Sequence, residues 1–205
     1  MNEELVFKIV FWVQLMLIMI FNRILPALRA RQSGVRLSPD REAIKNEGMF
    51  FFAFRVATGV LLAAVLVIYT FFPAFASVFQ FPLASEWRWA GVIISSIFLL
   101  LWIYSQQILA KNWSANLRIQ KDHTLVTSGP YRVMRHPIYT SMIFWSIGLA
   151  LFTAYAFFVA FAVVVILWTP PRIAKEEKLL IDHFGTEYLD YMKTAGRYFP
   201  KFKRR

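Results

Sequence analysis

The chain has 205 residues, of which 58% are hydrophobic and 18% aromatic, and it contains no cysteine. A soluble domain is usually about 45 to 50% apolar, so the surplus indicates burial in lipid, and the missing thiols exclude disulfides, thiolate metal sites and a cysteine nucleophile. The net charge of +11 would suggest nucleic acid in a soluble protein, but the positions of the basic residues favour a membrane explanation instead.

The first predicted element is a membrane span at about 5–25, an apolar run that only Lys8, Gln14, Asn22 and Arg23 interrupt. Its length matches the ~20 residues that a spanning helix needs. The residues before it are acidic rather than basic, and no convincing small-residue cleavage site follows. We therefore expect an uncleaved helix with its N-terminus outside.

Further apolar runs predict spans at about 49–72 and 87–109. From 137 to 168 the chain stays apolar for too long to form one span of about 20 to 25 residues. We expect two tightly connected helices there, at about 137–152 and 154–169, with the turn somewhere between Gly148 and Tyr155. The sequence thus predicts an all-α integral membrane protein with about five transmembrane helices in a single domain, 1–205.

Basic residues are concentrated in alternate connections of this pattern. Of the 23 Lys and Arg residues, 20 lie within 23–45, 111–135 and 172–205. This asymmetry is typical of cytoplasmic segments, so we expect the C-terminus inside and no nucleic-acid partner. Arg55 falls inside the second span, where it either snorkels from near the helix end or forms a functional ion pair.

After Thr169 the pattern becomes amphipathic, which predicts a C-terminal helix at the cytosolic interface. Thr169 is a candidate cap, and Pro170 and Pro171 suit a first helical turn. The same prolines are also compatible with a kink in one helix that continues from the fifth span. The sequence leaves both alternatives open.

Polar residues that solvation does not explain gather at 116–139 and from Arg172 onward, both on the cytoplasmic side. Pro137 suits the first residue of the fourth span, which places His136 and Tyr139 near a helix N-terminus, where free amides attract a carboxylate. Arg172 and Glu176 are four residues apart and share a helix face. Taken singly, these residues also fit membrane anchoring and a surface ion pair. The three histidines have no metal-ligand spacing, so no metal is expected.

Together these segments form a specific pattern. The stretch HTLVTSGPYRVMRHPIYTSMIFWSIGLAL from His123, followed by EEKLLIDHFGTEYLDY, resembles the isoprenylcysteine carboxyl methyltransferase family and its prokaryotic relatives. The resemblance implies a small helical membrane enzyme that binds S-adenosylmethionine without a Rossmann fold. The glycine positions also argue against a Rossmann fold, because none forms a G-x-G-x-x-G fingerprint after a strand.

The resemblance also implies roles for individual residues. Arg172 faces the acceptor and is the expected catalytic and substrate-binding residue. The segments 116–139 and 172–200 are expected to form the cofactor site. Its expected contacts are Asn116, His123, Thr124, Leu125, Val126, Tyr131, His136, Pro137, Ile138, Tyr139 and Glu176.

The implied reaction is methyl transfer from S-adenosylmethionine to a lipophilic acceptor at the cytoplasmic membrane face, most simply the carboxylate of an isoprenylcysteine-like molecule or prenylated protein. A carboxylate needs no general base, so Arg172 would orient it for attack. Ser141 and Pro170-Pro171 depart from the family pattern near the substrate entrance. Alternatives are methylation of a phospholipid amine or a thiol, a sterol-reductase-like protein that binds NADPH, and a membrane scaffold without enzymatic activity.

Overall fold

The computed structural model describes residues 3–32, 41–109 and 124–201 of the chain. These residues fold almost entirely into helices. In chain order the helices are α1 (Glu3–Met19), a π-helical turn (Ile20–Ile24), α2 (Leu25–Gln32), α3 (Arg41–Glu47), α4 (Met49–Phe71), α5 (Pro73–Ala76), α6 (Ser85–Leu109), α7 (Pro137–Thr153), α8 (Ala156–Phe184) and α9 (Thr186–Thr194).

Four helical stretches are long and apolar enough to cross a membrane, namely Glu3–Arg29, Met49–Phe71, Ser85–Leu109 and Ala156–Phe184. The remaining apolar helix, α7, has 17 residues and is shorter than a usual span. The expected all-α membrane fold is confirmed, with four long helices and this shorter one where five spans were predicted. The first helix also runs further than predicted, through the π-helical turn into α2.

The centre of the bundle is the contact between α6 and α7, which approach each other at two glycines. A Cβ atom added to Gly91 would lie 2.7 Å from the carbonyl oxygen of Gly148, and one added to Gly148 would lie 2.6 Å from the backbone nitrogen of Ser95. Small residues at such positions let membrane helices pack backbone to backbone. This close contact fixes the position of α7, whose N-terminus carries predicted site residues.

Gln14, the polar residue in the first span, joins α1 to the same helix pair. Its amide nitrogen donates to Ser95 at 2.9 Å and to Ser96 at 3.1 Å, and its carbonyl oxygen accepts from the indole of Trp145 at 3.0 Å. A buried amide in a bilayer must find such partners. The apparent interruption of the apolar run is therefore a contact between three helices.

The turn between α7 and α8 lies at the end of the interval 148–155 in which the sequence predicts it. It consists of Ala154, in the left-handed region at φ 57°, and Tyr155. The carbonyl of Ala154 accepts from the amide of Phe81 at 3.0 Å, which ties the turn to the preceding connection. Gly148 lies within α7 because its missing side chain serves helix packing rather than chain reversal.

The helix α8 runs without a break through Pro170 and Pro171. The hydroxyl of Thr169 donates to the carbonyl of Val165 at 2.7 Å within the same helix, so this residue does not cap a new one. The prediction that a new helix starts at Thr169 is therefore wrong. The other alternative, one helix that continues from the fifth span, is the one observed. Because α8 continues, it carries the residues from Arg172 onward directly beyond its apolar half.

Gly185, at φ 56°, ends α8 and allows the chain to turn into α9. A second, smaller core forms there, with Tyr188, Tyr191 and Ala195 buried and Leu125 packed against them. The chain after α9 then runs back beside the segment before α7. This arrangement covers the N-terminus of α7 with protein.

Candidate active site

The N-terminus of α7 is set by His136, which occupies the capping position before Pro137. The backbone amide of Arg135 donates to the carbonyl of Gly196 at 2.7 Å, and that of His136 donates to the carbonyl of Arg197 at 3.2 Å. The C-terminal segment thus already satisfies these two amides. Any ligand carboxylate at this helix end would have to use other donors.

A cluster of charged residues around Glu177 holds this region together. One carboxylate oxygen of Glu177 lies 3.0 Å from Nε of Arg135 and 3.1 Å from Nε2 of His136. The other oxygen accepts from Arg197 at 2.7 Å. Glu177 and His136 are both buried, so these bonds are made away from water and are costly to leave unmade. The cluster fixes the loop before α7, helix α8 and the C-terminal segment relative to one another.

One turn away, Tyr139 links the two predicted residues of α8. Its hydroxyl donates to Glu176 at 2.6 Å and accepts from Nε of Arg172 at 3.1 Å. The guanidinium carbon of Arg172 also lies 5.0 Å from the centre of the Trp168 ring. The structure therefore brings Tyr139, Arg172 and Glu176 into one hydrogen-bonded chain.

Arg172 is held from a third direction by Glu47, the last residue of α3. Nη1 of Arg172 lies 2.8 Å from Oε1 of Glu47, and both side chains are buried, with 6% and 2% of their surface exposed. Arg55 grips the same carboxylate through two bonds of 2.8 and 2.9 Å. The sequence allowed Arg55 either to snorkel or to form an ion pair, and the structure shows the ion pair.

A narrow cleft lies beside this ion pair, lined by Glu47, Phe51, Trp168, Arg172 and Lys175. The cleft has no room for a water molecule as it stands. The indole nitrogen of Trp168 is buried and has no hydrogen-bond partner in the described part of the chain. An unpaired buried donor of this kind marks a place where a polar ligand atom would be stabilised.

Tyr131 lies in the short 3-10 turn Gly129–Arg132 and is buried. Burial raises the pKa of its hydroxyl well above the usual value, and the neighbouring carboxylate of Glu176 and the rings of Tyr191 and Tyr139 act in the same direction. The phenol therefore stays neutral near Glu176. The backbone carbonyl of Tyr131 accepts from the hydroxyl of Tyr191 at 2.6 Å, which ties this turn to α9.

The other predicted cofactor residues occupy different surroundings. Thr124 is exposed, Leu125 packs into the small core under α9, and Val126 and Ile138 are half-buried. Pro137 is buried at the start of α7. Asn116 and His123 lie outside the described residues.

Residues outside the expected cofactor and acceptor contacts complete the site, namely Glu47, Arg135, Lys175, Glu177 and Arg197. Glu47 had a usable signal, because Arg55 within the second span needs a counter-ion and Glu47 is the nearest preceding carboxylate. Glu177 meets Arg135 across 42 residues of sequence, and no local pattern predicts such a contact.

Part of the chain, including several site residues, matches a known protein family. Residues 89–182 match the isoprenylcysteine carboxyl methyltransferase family. The resemblance seen in the sequence is thereby confirmed over α6, α7 and most of α8. The matched segment contains Tyr139, Arg172, Glu176 and Glu177.

Two relatives show how far the likeness extends. Protein-S-isoprenylcysteine O-methyltransferase A of Arabidopsis thaliana is 39% identical over 85 residues, which are 41% of this chain and 43% of that protein. The cobalt-zinc-cadmium resistance protein CzcN of Cupriavidus metallidurans is 30% identical over 118 residues, covering 56% of this chain and 54% of that one. The chain thus spans about half or less of these relatives. Among the described residues, no three His, Asp or Glu side chains are grouped to hold a metal ion.

The fold itself is similar to that of a solved eukaryotic intramembrane Ras methyltransferase, an isoprenylcysteine carboxyl methyltransferase. The TM-score is 0.52 at 24% identity, and the match covers 75% of this chain and 53% of that one. Together with the long apolar helices, this fold shows a multi-pass integral membrane protein.

Proposed function

We propose that the chain is an S-adenosylmethionine-dependent methyltransferase that methylates the carboxylate of a lipophilic, isoprenylcysteine-like acceptor at the cytoplasmic membrane face. The observation that carries this proposal is the half-buried hydrogen-bonded chain Glu176–Tyr139–Arg172 within the matched segment. In this hydrogen-bonded chain Arg172, which would orient the acceptor, lies beside a tyrosine and a carboxylate that would contact the cofactor.

The residues around α7 and α8 fit S-adenosylmethionine by their chemistry. This cofactor supplies an electrophilic methyl group on a sulfonium. The rings of Tyr131 and Tyr139 suit a cation, and Glu176 suits an ammonium or a ribose hydroxyl. The unpaired indole nitrogen of Trp168 offers one further donor. His136 would act mainly through Glu177, since its Nε2 already faces that carboxylate.

Arg172 would orient the acceptor. Its guanidinium is fixed by Tyr139 and Glu47 and is almost fully removed from water. A planar guanidinium can hold a carboxylate by two parallel bonds, which sets the angle of approach as well as the distance. A carboxylate is already a nucleophile, so catalysis would rest on positioning and on the exclusion of water.

The acceptor would enter at the cleft beside Arg172. Phe51 and Trp168 line it together with the charged residues, so an apolar chain and an acid group would both find matching surroundings. Because the cleft is closed to water as it stands, the acceptor would have to displace side chains on entry. We place this end of the bundle on the cytoplasmic side, in agreement with the three basic segments.

A pair of binding assays tests the proposal. The purified protein in nanodiscs is titrated with labelled S-adenosylmethionine and, separately, with NADPH. We expect saturable binding of the first and none of the second, followed by methyl transfer to N-acetyl-S-farnesylcysteine. Binding of NADPH without S-adenosylmethionine would favour the reductase-like alternative, and binding of S-adenosylmethionine without transfer to any acid would favour an amine or thiol acceptor.

A further inference from the structure

Lys175 lies three residues after Arg172 on α8 and lines the same cleft. Its ammonium donates to the backbone carbonyl of Glu47 and stands 4.1 Å from the centre of the Phe51 ring. Within the described ranges, the side chain forms no ion pair with a carboxylate. A half-buried ammonium without a counter-ion is uncommon, because the charge loses hydration and gains little in return.

The two carboxylates near the cleft are both engaged by other side chains. Glu47 is held by Arg55 and Arg172, and Glu176 accepts from Tyr139. The hydrogen bond of Lys175 goes to the backbone carbonyl of Glu47, which carries no charge. One bound carboxylate would therefore give the ammonium of Lys175 a counter-ion.

We propose that Lys175 is a second acceptor-binding residue, which holds the acceptor carboxylate together with Arg172 and makes the site selective for anionic acceptors. The inference rests on the proposed function and deepens it. An i, i+3 spacing puts both cations on one helix face, so a single carboxylate in the cleft can reach both. Arg172 would set the orientation of the carboxylate, and Lys175 would supply affinity as a point charge.

A purely structural role predicts something different. In that case Lys175 only ties α8 to the α3–α4 junction through the Glu47 carbonyl. Its loss would then lower stability or disturb all ligands equally. An acceptor-binding role predicts instead a loss confined to ligands that carry a carboxylate.

The test compares Lys175→Met, which keeps the length of the side chain but removes the charge, with Lys175→Arg, which keeps the charge. Lys178→Met is the matched control, because Lys178 is exposed on the same helix. Acceptor affinity is measured with N-acetyl-S-farnesylcysteine and with its methyl ester, which lacks the charge. S-adenosylhomocysteine binding and the thermal midpoint are measured on the same preparations.

For Lys175→Met we expect KM for the acid to rise about tenfold, the factor for one lost bond between charged groups. The affinity for the neutral ester and for S-adenosylhomocysteine should stay within about twofold of wild type, well below that factor. Lys175→Arg should restore most of the acid affinity, and Lys178→Met should change nothing. An equal loss for acid and ester, or an unchanged KM for the acid, overturns the inference even if the wild type is fully active. An inactive wild type contradicts the proposed function itself, and the inference falls with it.

Discussion

Nη1 of Arg172 donates to Oε1 of Glu47 at 2.8 Å, although 125 residues separate the two in the sequence. The contact joins α3, which lies before the segment that matches the family, to a residue near the C-terminal end of that segment. The same carboxylate is gripped by Arg55, so Glu47 keeps a partner if Arg172 moves toward an acceptor. Arg172 is therefore neutralised in this structure, and Glu47 would keep one counter-ion if Arg172 were to bind an acceptor.

The ion cluster around Glu177 is expected to be structural. Glu177→Gln leaves Arg135 and Arg197 without their shared carboxylate, and breaking such a buried pair costs about 3 kcal/mol. We expect a clearly lower thermal midpoint in detergent, measured by tryptophan fluorescence. Glu187→Gln, at an exposed position on α9, is the control and should leave the midpoint unchanged.

Glu176 is expected to act on the cofactor. Glu176→Gln removes the negative charge one turn from Arg172, so S-adenosylhomocysteine should bind about tenfold more weakly, as for one lost charge-assisted bond. Calorimetry measures this directly. Because the Tyr139 hydroxyl can still donate to an amide oxygen, the fold should survive. An unchanged affinity, with an unchanged thermal midpoint, would show that Glu176 does not contact the cofactor.

The contact between α6 and α7 predicts a difference between two glycines. Gly91→Ala places a methyl group 2.7 Å from atoms of α7, and overpacking of this kind costs about 1–3 kcal/mol. Gly59→Ala, on α4, has no atom within 4 Å of the new methyl group and serves as the control. We expect Gly91→Ala alone to lower the thermal midpoint. Equal thermal midpoints for the two variants would mean that α6 and α7 accommodate the new methyl group without loss of stability.

Membrane orientation is tested with single cysteines, which is simple because the chain has none of its own. We expect a cysteine at Glu3 to react with an impermeant maleimide added from outside. A cysteine at Arg205 should react only after the membrane is opened. Labelling of both positions from the same side would contradict the proposed orientation.

The sequence predicts helices well where hydrophobicity alone decides the structure. The long apolar helices and the turn after α7 follow from run length, since lipid accepts little else. The sequence does not predict the structure at Pro170-Pro171, because these prolines fit both the start of a new helix and a position inside a continuous one. The packing of α8 determines which of the two forms. Gly148 shows the same limit, because a glycine suits a turn and a close helix contact equally well.

The candidate site likewise contains residues that the sequence predicts and residues that it does not. Tyr139, Arg172 and Glu176 lie in segments whose pattern is specific, and the structure brings them together. The roles of Glu47 and Lys175 could not be predicted in this way, because they depend on where α3 packs against α8. Such long-range contacts leave no periodic signal in the sequence.

The central claim is that Arg172 orients an acceptor carboxylate for methyl transfer. The most direct measurement is the single-turnover rate with N-acetyl-S-farnesylcysteine for wild type, Arg172→Ala and Arg172→Lys, with S-adenosylhomocysteine affinity measured on the same preparations. We expect Arg172→Ala to slow transfer at least about a hundredfold, the cost of a misplaced reactant, with cofactor affinity nearly intact. Arg172→Lys should recover little of the rate, because an ammonium cannot reproduce the planar two-bond grip. A fully active Arg172→Ala protein would contradict the account and point to an amine or thiol acceptor.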